Sequence, residues 1–253
     1  SGRKGSSYRP ADGGGPIHGD DGWTPVAPSA KPWPYDEPME TERLDIDGIE
    51  RVIDAFVAAA VRAVDAGFDI IELHAAHGYL LHEFLSPVTN TRTDDYGGSF
   101  ENRTRLLREI ATEVREAIPD GTPLFVRISA TDWLPDRESW TVEDSAQLAG
   151  ALKPLGVDLV DVSAGAIHPD QQVPESGPHY QVPYAERVAE SGTPVGAVGK
   201  ITTPEGADEI IRNGRADLAI VGREHLKDPY FAIRAAEALG HEAPIPRQYR
   251  RGF

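Results

Sequence analysis

Hydrophobic and polar positions alternate along the chain in two spacings, one typical of helices and one of buried strands. Between Asp47 and Gly67, apolar residues recur at helical intervals. This spacing predicts a helix that Asp47 caps and that ends at Gly67. The apolar run that follows, residues 68–73, is typical of a short buried strand.

The same alternation continues to the end of the chain. Thr141 with Asp144 resembles a capping box at the start of one later helix. Residues 1–46 are rich in Gly and Pro without either period, which predicts mostly loop. The further predicted strands are residues 123–129, 157–163, 194–199 and 216–222, and the further predicted helices are residues 100–117, 141–152, 183–190, 204–214 and 229–239.

Strands this apolar, each separated from the next by a helix, favour a parallel sheet covered by helices. A doubly wound sheet and a (β/α)8 barrel both meet this description. No G-x-G-x-x-G follows a strand, which disfavours a dinucleotide-binding sheet. Polar residues instead follow several strand ends, as in barrels. We therefore predict an α/β fold, a (β/α)8 TIM barrel forming a single domain over residues 1–253, of which the chain carries about the last five β/α units.

Composition narrows the possible partners and the compartment. The formal charge of −16 at pH 7 disfavours nucleic acid and anionic membrane surfaces. Acids dispersed along a lysine-poor, acidic chain also suit a salt-adapted, halophilic protein. No apolar run approaches the roughly 18 residues of a membrane span, and the first ten residues lack a signal-peptide pattern, so a cytoplasmic location is expected. The absence of Cys excludes disulfides, thiolate-held metal and a cysteine nucleophile.

Histidines cluster in "IELHAAHGYLLHEF" (71–84), where His74 and His77 are followed by Tyr79 and His82. A zinc site, a packed core and a flavin-dependent active site are each compatible with these residue types. A catalytic zinc needs a third protein ligand, and no H-E-x-x-H pattern supplies one here. We therefore predict no metal, and we expect His82 to be structural.

Longer motifs follow one another in a fixed order. The first is "ELHAAHGYLLHEFLSPVTNTRTDDYGGSFENRTRLLREI" (72–110), which contains the histidine pair. Behind it come "LFVRIS" (124–129), "GVDLVDVSAG" (156–165), "GAVGKIT" (196–202) and "GRADLAIVGRE" (214–224). In their residues and in their order these motifs resemble those of the Old Yellow Enzyme family of NADH:flavin oxidoreductases, which are FMN-dependent ene reductases.

Both ends of the chain extend this resemblance. "QYRRGF" (248–253) is similar to the C-terminus of the family's thermophilic-like bacterial branch, and "GRKGSS" (2–7) to the stretch after the family's third strand. The resemblance implies that the barrel's first three strands precede the segment that begins this sequence. The missing barrel segment would come from the same polypeptide or from another.

The resemblance also implies a reaction. FMN, bound tightly but not covalently, would accept hydride from NADPH or NADH and pass it to the C=C bond of an α,β-unsaturated carbonyl or nitro compound. His74 and His77, with Ala75 and Ala76 between them, would bind this small-molecule alkene and hold its activating oxygen. Tyr79 would donate the proton.

The remaining site residues follow from the same resemblance. Arg127 would lie against the flavin ring, where a fixed cation stabilises the reduced, anionic form. Arg251 would reach the active site of a neighbouring subunit, which implies a homodimer or homotetramer. The residues expected to bind the cofactor phosphate are Gly199, Lys200, Gly222 and Arg223.

Two alternatives stay open at this point. A phosphate-binding barrel aldolase or isomerase would use His and Lys without redox chemistry, although no convincing Schiff-base lysine lies inside a strand. An inert fragment would carry the site residues but bind no flavin by itself. The presence or absence of flavin absorbance separates these alternatives from an ene reductase.

Overall fold

A computed structural model describes residues 1–243 and 245–252 of the chain. Strands and helices alternate from about the first fifth of the chain onward. The strands are β1 (Val26–Ala27), β2 (Glu42–Arg43), β3 (Ile71–Ala75), β4 (Leu124–Ser129), β5 (Leu159–Ser163), β6 (Val195–Ala197) and β7 (Leu218–Ala219). The helices are α1 (Ile46–Asp65), α2 (Leu80–Leu85), α3 (Phe100–Ala117), α4 (Val142–Leu152), α5 (Val182–Ala189), α6 (Pro204–Arg212), α7 (Arg223–Lys227) and α8 (Phe231–Ala238).

Strands β3 to β7 form one parallel sheet, in the order in which they occur along the chain. This confirms the five predicted strands. A doubly wound sheet would reverse its strand order at a switch point, so the sequential order favours the barrel. Among the residues described, no strand pairs with the outer edge of β3 or of β7. Both edges therefore present backbone groups that a further strand could pair with.

The two faces of the sheet differ in burial. In β3, Ile71, Leu73 and Ala75 are buried, whereas Glu72 and His74 between them are exposed. Alternate residues of a strand point to opposite faces. The buried set belongs to the core that the covering helices complete, and the exposed set lies on the face that a closed barrel would turn inward.

One row of paired residues crosses this inner face. His74 pairs with Arg127, Arg127 with Asp161, Asp161 with Gly196, and Gly196 with Leu218. Since partners in neighbouring parallel strands point to the same face, the row places a histidine, a guanidinium and a carboxylate side by side. This arrangement positions part of the site described below.

The start of α1 corrects one prediction. Asp45, and not Asp47, is the capping residue, because its Oδ1 accepts a hydrogen bond from the Gly48 backbone N–H at 2.7 Å. Asp47 lies inside the first turn, where its carboxylate interacts with the helix dipole instead. The helix ends as predicted, with Gly67 at φ +90° just beyond its last turn.

Two short helices were not predicted. All six residues of α2 are buried, so the segment has no polar face from which to recognise a helical period. Helix α7 spans five residues, too few for a period to register. The predicted capping box at Thr141 and Asp144 is confirmed. Within the described ranges, no helix is long and apolar enough to cross a membrane.

Candidate active site

A cavity of about 570 Å³ opens at the carboxyl ends of the sheet strands. Its volume is typical of pockets for small ligands, which span about 300–1,000 Å³. Barrels build their sites at this end of the strands. The structure brings six of the predicted site residues to the cavity wall, namely His77, Arg127, Gly199, Lys200, Gly222 and Arg223.

The cavity wall is cationic although the chain as a whole is strongly acidic. Arg127, Lys200, Arg223 and Lys227 line it, together with the carboxylate of Glu224. The formal charge of the whole chain is −16. A local excess of positive charge against that background favours an anionic ligand, because an opposite charge is attracted most strongly where the wall excludes water.

His77 is held by its backbone and by its ring. Its backbone N–H donates to Ser129 Oγ at 2.9 Å, and its Nε2 lies 2.7 Å from Ser163 Oγ. The Ser163 hydroxyl can donate or accept, so it can fix either tautomer of the ring. Burial, followed by the charge of Arg127, lowers the pKa of His77 to about 3.

His74 lies beside His77, with 5.3 Å between the ring centroids. Burial, and then the charge of Arg127, lowers the pKa of His74 below its ordinary value. Both imidazoles are therefore neutral at neutral pH. Each neutral ring carries one N–H donor, so the pair can donate two hydrogen bonds to a substrate oxygen without adding positive charge.

A tight turn places His77 beyond the end of β3. His77 and Gly78 both have left-handed backbone angles, with φ of 58° and 67°. A Cβ at Gly78 would lie 2.1 Å from the carbonyl oxygen of Ala166. The turn therefore requires glycine at position 78, both for its φ and for the close approach of the neighbouring chain.

Tyr79 follows this turn and its side chain is 39% exposed. Its ring centroid lies 5.6 Å from that of His74, so the predicted proton donor is next to the predicted oxygen-binding pair. His74, Tyr79, Ala75 and Ala76 are not among the residues that line the cavity, which reaches this group through His77.

Lys4 also belongs to this group, and sequence reasoning gave it no role. Its Nζ lies 4.6 Å from the centroid of the Tyr79 ring. It donates to the carbonyl oxygen of Ala166 at 3.1 Å and to that of His77. Burial lowers the pKa of Lys4 to about 8, which leaves it largely protonated at neutral pH. The "GRKGSS" motif contains Lys4, but sequence alone does not show that residue 4 folds against residue 79.

His82 has the structural role expected of it. The Gly78 backbone N–H donates to His82 Nδ1 at 2.9 Å, and His82 Nε2 lies 3.0 Å from Asp132 Oδ1. Since Nδ1 accepts, the neutral ring carries its proton on Nε2 and donates to the carboxylate. The fully buried ring thus ties the turn after β3 to the segment after β4.

The zinc alternative lacks a complete ligand set. Over residues 1–243 and 245–252, no three His, Asp or Glu side chains lie together in a position to hold a metal ion. Among these described residues, His74 and His77 lack the third protein ligand that a catalytic zinc site requires. Their neutral rings are available as hydrogen-bond donors instead.

Arg127 projects from β4 into the cavity and pairs with Asp161 of β5, with 3.3 Å between Nε and Oδ2. The contact satisfies an ion pair but not a hydrogen bond: in the part of the chain that the structure describes, Arg127 Nε and Asp161 Oδ1 have no hydrogen-bond partner. The Arg127 side chain is nevertheless 28% exposed and lines the cavity, so the other N–H groups of its guanidinium can donate to an acceptor of a ligand. Asp161 was not among the predicted site residues.

The two predicted glycines serve different purposes. Gly199 has φ +123°, and a Cβ there would lie 2.9 Å from the backbone N of Gln181, so the protein's own packing requires this glycine. A Cβ at Gly222 would meet no atom of the described residues within 4 Å. Gly222 borders the cavity, and its lack of a side chain leaves space there for a ligand.

The outer cations are less constrained. The Lys200 Nζ donates to Ser176 Oγ at 3.0 Å, and Arg223 is exposed at the cavity wall. Arg251 is exposed within a short 3-10 helix, Arg247–Gly252, and is not among the residues that line the cavity. Phe253, the last residue of "QYRRGF", lies outside the described residues.

Comparison with known proteins identifies the family. The profile of the NADH:flavin oxidoreductase / NADH oxidase family matches residues 16–242. The chain belongs to this family. The resemblance to Old Yellow Enzymes is thereby confirmed, and membership implies FMN as the cofactor.

Individual relatives agree with this assignment. The chain is 50% identical over 229 residues to an NADPH dehydrogenase of Geobacillus thermodenitrificans, covering 90% of this chain and 65% of the relative. The Old Yellow Enzyme homologue of Zymomonas mobilis is 27% identical with a TM-score of 0.69, over 90% of this chain and 65% of that one. A 2-naphthoyl-CoA reductase is 28% identical with a TM-score of 0.78, over 87% of this chain and 34% of that one.

These matches settle the architecture. The chain spans 65% of the length of the Geobacillus relative, and its five parallel strands follow one another as in a (β/α)8 barrel. The fold is therefore a partial TIM barrel, as predicted. The residues present also fit FMN: the cationic wall suits a phosphate, and the partly exposed guanidinium of Arg127 suits an acceptor on the flavin ring.

Proposed function

We propose that the complete protein is an ene reductase, which uses FMN and NADPH or NADH to reduce the C=C bond of α,β-unsaturated carbonyl or nitro compounds. The observation that carries this proposal is the position of His77. It lines the cationic cavity, and its ring lies 5.3 Å from that of His74. The cationic cavity and the pair of neutral hydrogen-bond donors therefore meet at His77.

Different cavity residues would bind different parts of the cofactor. Arg223, Lys200, Gly199 and Gly222 would hold the phosphate, and Arg127 would hold the flavin ring. When bound, FMN supplies hydride transfer from the nicotinamide to the β-carbon of the alkene. Arg127 favours negative charge at the ring edge because its guanidinium is a fixed cation.

The two imidazoles would polarise the substrate. Negative charge grows on the carbonyl or nitro oxygen as the alkene is reduced, and preorganised donors stabilise it. His74 and His77 are suited to this because their lowered pKa values keep them neutral. Ala75 and Ala76 lie between them and are fully buried, so they would take part through the backbone that carries the two rings.

Tyr79 would deliver the proton to the α-carbon. Its phenol is partly exposed and its ring neighbours His74, so it can reach a substrate held by the pair. Lys4, above the Tyr79 ring, fixes the ring through a cation–π contact. Lys4 also supports the turn that carries His77.

Two features of the assembly belong to the same proposal. The unpaired edges of β3 and β7, with Phe68 65%, Ile70 47% and Leu218 42% exposed, would be covered by the remaining barrel strands, from the same or another polypeptide. Arg251 would extend into a neighbouring subunit's site in a homodimer or homotetramer, as in the thermophilic-like branch that "QYRRGF" resembles. Its exposure leaves it available for this.

Separate measurement of the two half-reactions tests the proposal. With the complete protein under anaerobic conditions, NADPH should bleach the flavin absorbance, and 2-cyclohexenone should restore it. Tyr79→Phe should slow the second step roughly 100-fold and leave the first unchanged, since general acid catalysis contributes on that scale.

The matched control is Tyr8→Phe, which removes a phenol that is likewise exposed but lies outside the site. It should leave both steps unchanged. If Tyr79→Phe slowed the first step instead, or neither step, Tyr79 would not be the proton donor. A colourless protein that ignores NADPH would favour the aldolase or isomerase alternative or an inert fragment.

A further inference from the structure

Asp161 is a charged residue buried within the sheet. It lies in β5, all five residues of which are buried, and its own exposure is 1%. Burying a carboxylate without a partner is strongly unfavourable. Its presence in a fully buried strand therefore calls for a partner of opposite charge.

That partner is Arg127. The two residues pair in register across β4 and β5, and the ion pair measures 3.3 Å between Arg127 Nε and Asp161 Oδ2. No described residue hydrogen-bonds to Asp161 Oδ1. The carboxylate therefore pairs with the guanidinium and not with the backbone, unlike that of Asp158 just before β5, whose Oδ2 accepts from the Leu124 backbone N–H at 2.8 Å.

The charged groups that face Asp161 come from two strands. Arg127 projects from β4, and Glu72 lies on β3 with His74 on the same face. The row continues into β6 and β7 as Gly196 and Leu218, which carry no charge. Burial raises the pKa of Asp161 to about 7, with Arg127 lowering it and Glu72 raising it further. The carboxyl group therefore gains or loses its proton near neutrality.

We propose that Asp161 is a positioning residue: it holds the Arg127 guanidinium at the floor of the cavity and offsets its charge, so that protonation of Asp161 changes the charge which the cavity presents to a bound flavin. The flavin part of this inference rests on the proposed function. The coupling between the two side chains does not.

The coupling is tested without flavin, by following the Asp carboxyl ¹³C resonances of the full chain through a pH titration. Asp161→Asn identifies the Asp161 signal. The signal should titrate near neutrality, and Arg127→Met should move its midpoint upward, because the cation that favours the carboxylate is gone. Asp158→Asn, the same change at the residue just before β5, should leave the Asp161 signal where it is. An Asp161 that titrates in the ordinary carboxyl range, or that ignores Arg127→Met, overturns the proposal.

The flavin part is tested by the reduction potential of bound FMN against pH. At high pH, Asp161→Asn should raise the potential relative to the unchanged protein, since Arg127 is then uncompensated. Reduced flavin should bind roughly ten-fold more tightly relative to oxidised flavin, as for a shift of about one pKa unit. At low pH, where Asp161 is itself protonated, the two proteins should agree.

A conservative variant separates charge from fold. Asp161→Glu keeps the carboxylate, so it should keep the pH dependence that Asp161→Asn loses. Equal potentials in Asp161→Asn and the unchanged protein at every pH overturn the flavin part. A protein that binds no FMN overturns the proposed function and the flavin part together, and the ¹³C titration then decides the coupling alone.

Discussion

Neutral histidines beside a cationic wall are the residue-scale basis of the site. His77 lines the same cavity as Arg127, and the charge of Arg127 is one cause of the lowered pKa of His77. The sequence placed both residues in the site through the resemblance. It did not reveal Lys4 or Asp161, because Lys4 is remote in sequence from the turn it supports and Asp161 sits within an apolar run. Folding brings Lys4 and Asp161 to their partners, and the spacing of residues along the sequence does not show it.

The lowered pKa of His77 predicts a specific effect of acid on stability. In the folded protein His77 titrates at about 3, whereas an unfolded histidine titrates at about 6.5. Between these values the unfolded chain binds more protons, so the stability is present above about pH 6.5 and is lost as the pH falls towards 3.

His77→Asn should therefore flatten the dependence of the unfolding free energy on pH in this window, by at most about 1.4 kcal/mol per pH unit. Asn suits the test because it tolerates the left-handed backbone of residue 77. Urea unfolding at a series of pH values measures the slope. An unchanged slope in the variant would show that His77 is accessible to protons in the folded state.

Replacing Gly78 should reduce stability by more than its left-handed backbone angle alone explains, because a Cβ there would also clash. Gly78→Ala should destabilise the protein by about 3 kcal/mol or more, since it adds overpacking to backbone strain. Its Cβ would lie 2.1 Å from the Ala166 carbonyl oxygen. Gly98→Ala is the matched control, with a similar φ of 82° but no atom of the described residues within 4 Å of a Cβ.

The control should cost about 1 kcal/mol, the strain of a left-handed alanine. Thermal or urea unfolding of both variants gives the comparison. Equal losses of stability would mean that the segment carrying Ala166 moves away freely and does not define the turn after β3.

At the scale of elements, the sequence predicted strands better than helix ends. Strands β3, β4 and β5 stand out as short, mostly apolar runs, even though their inner face carries His74, Arg127 and Asp161. Helix α2 was missed because a helix buried on every side shows no period, and the start of α1 was misplaced because Asp45 and Asp47 are both acceptable caps. Only the backbone geometry distinguishes the two.

The cap of α1 predicts a difference between two neighbouring aspartates. Asp45→Ala should reduce the unfolding free energy by about 1 kcal/mol, because the Gly48 N–H loses its acceptor. Asp47→Ala removes the same charge from the first turn without a capping bond, so it should cost a few tenths of a kcal/mol. Urea unfolding of both variants decides the matter, and a larger loss for Asp47→Ala would contradict the assigned cap.

At the scale of the whole molecule, the sequence predicted the partial barrel through its five β/α units and their order. It could not show how the sheet is completed, since the edges of β3 and β7 pair with no strand within the described ranges. The chain spans 65% of the Geobacillus relative, and the exposed apolar residues at these edges need cover. The formal charge of the whole chain is −16, whereas the cavity wall is cationic. Composition alone therefore could not predict the positive charge of the cavity.

The most direct test of the central claim is the visible absorption spectrum of the purified protein, taken with its intact mass after addition of FMN. The account predicts flavin bands at one FMN per barrel, in a species heavier than the 27.4 kDa chain because it contains the completing strands. Arg223→Met should weaken FMN binding while the species still contains the completing strands. A completed barrel that stays colourless in excess FMN would contradict the account.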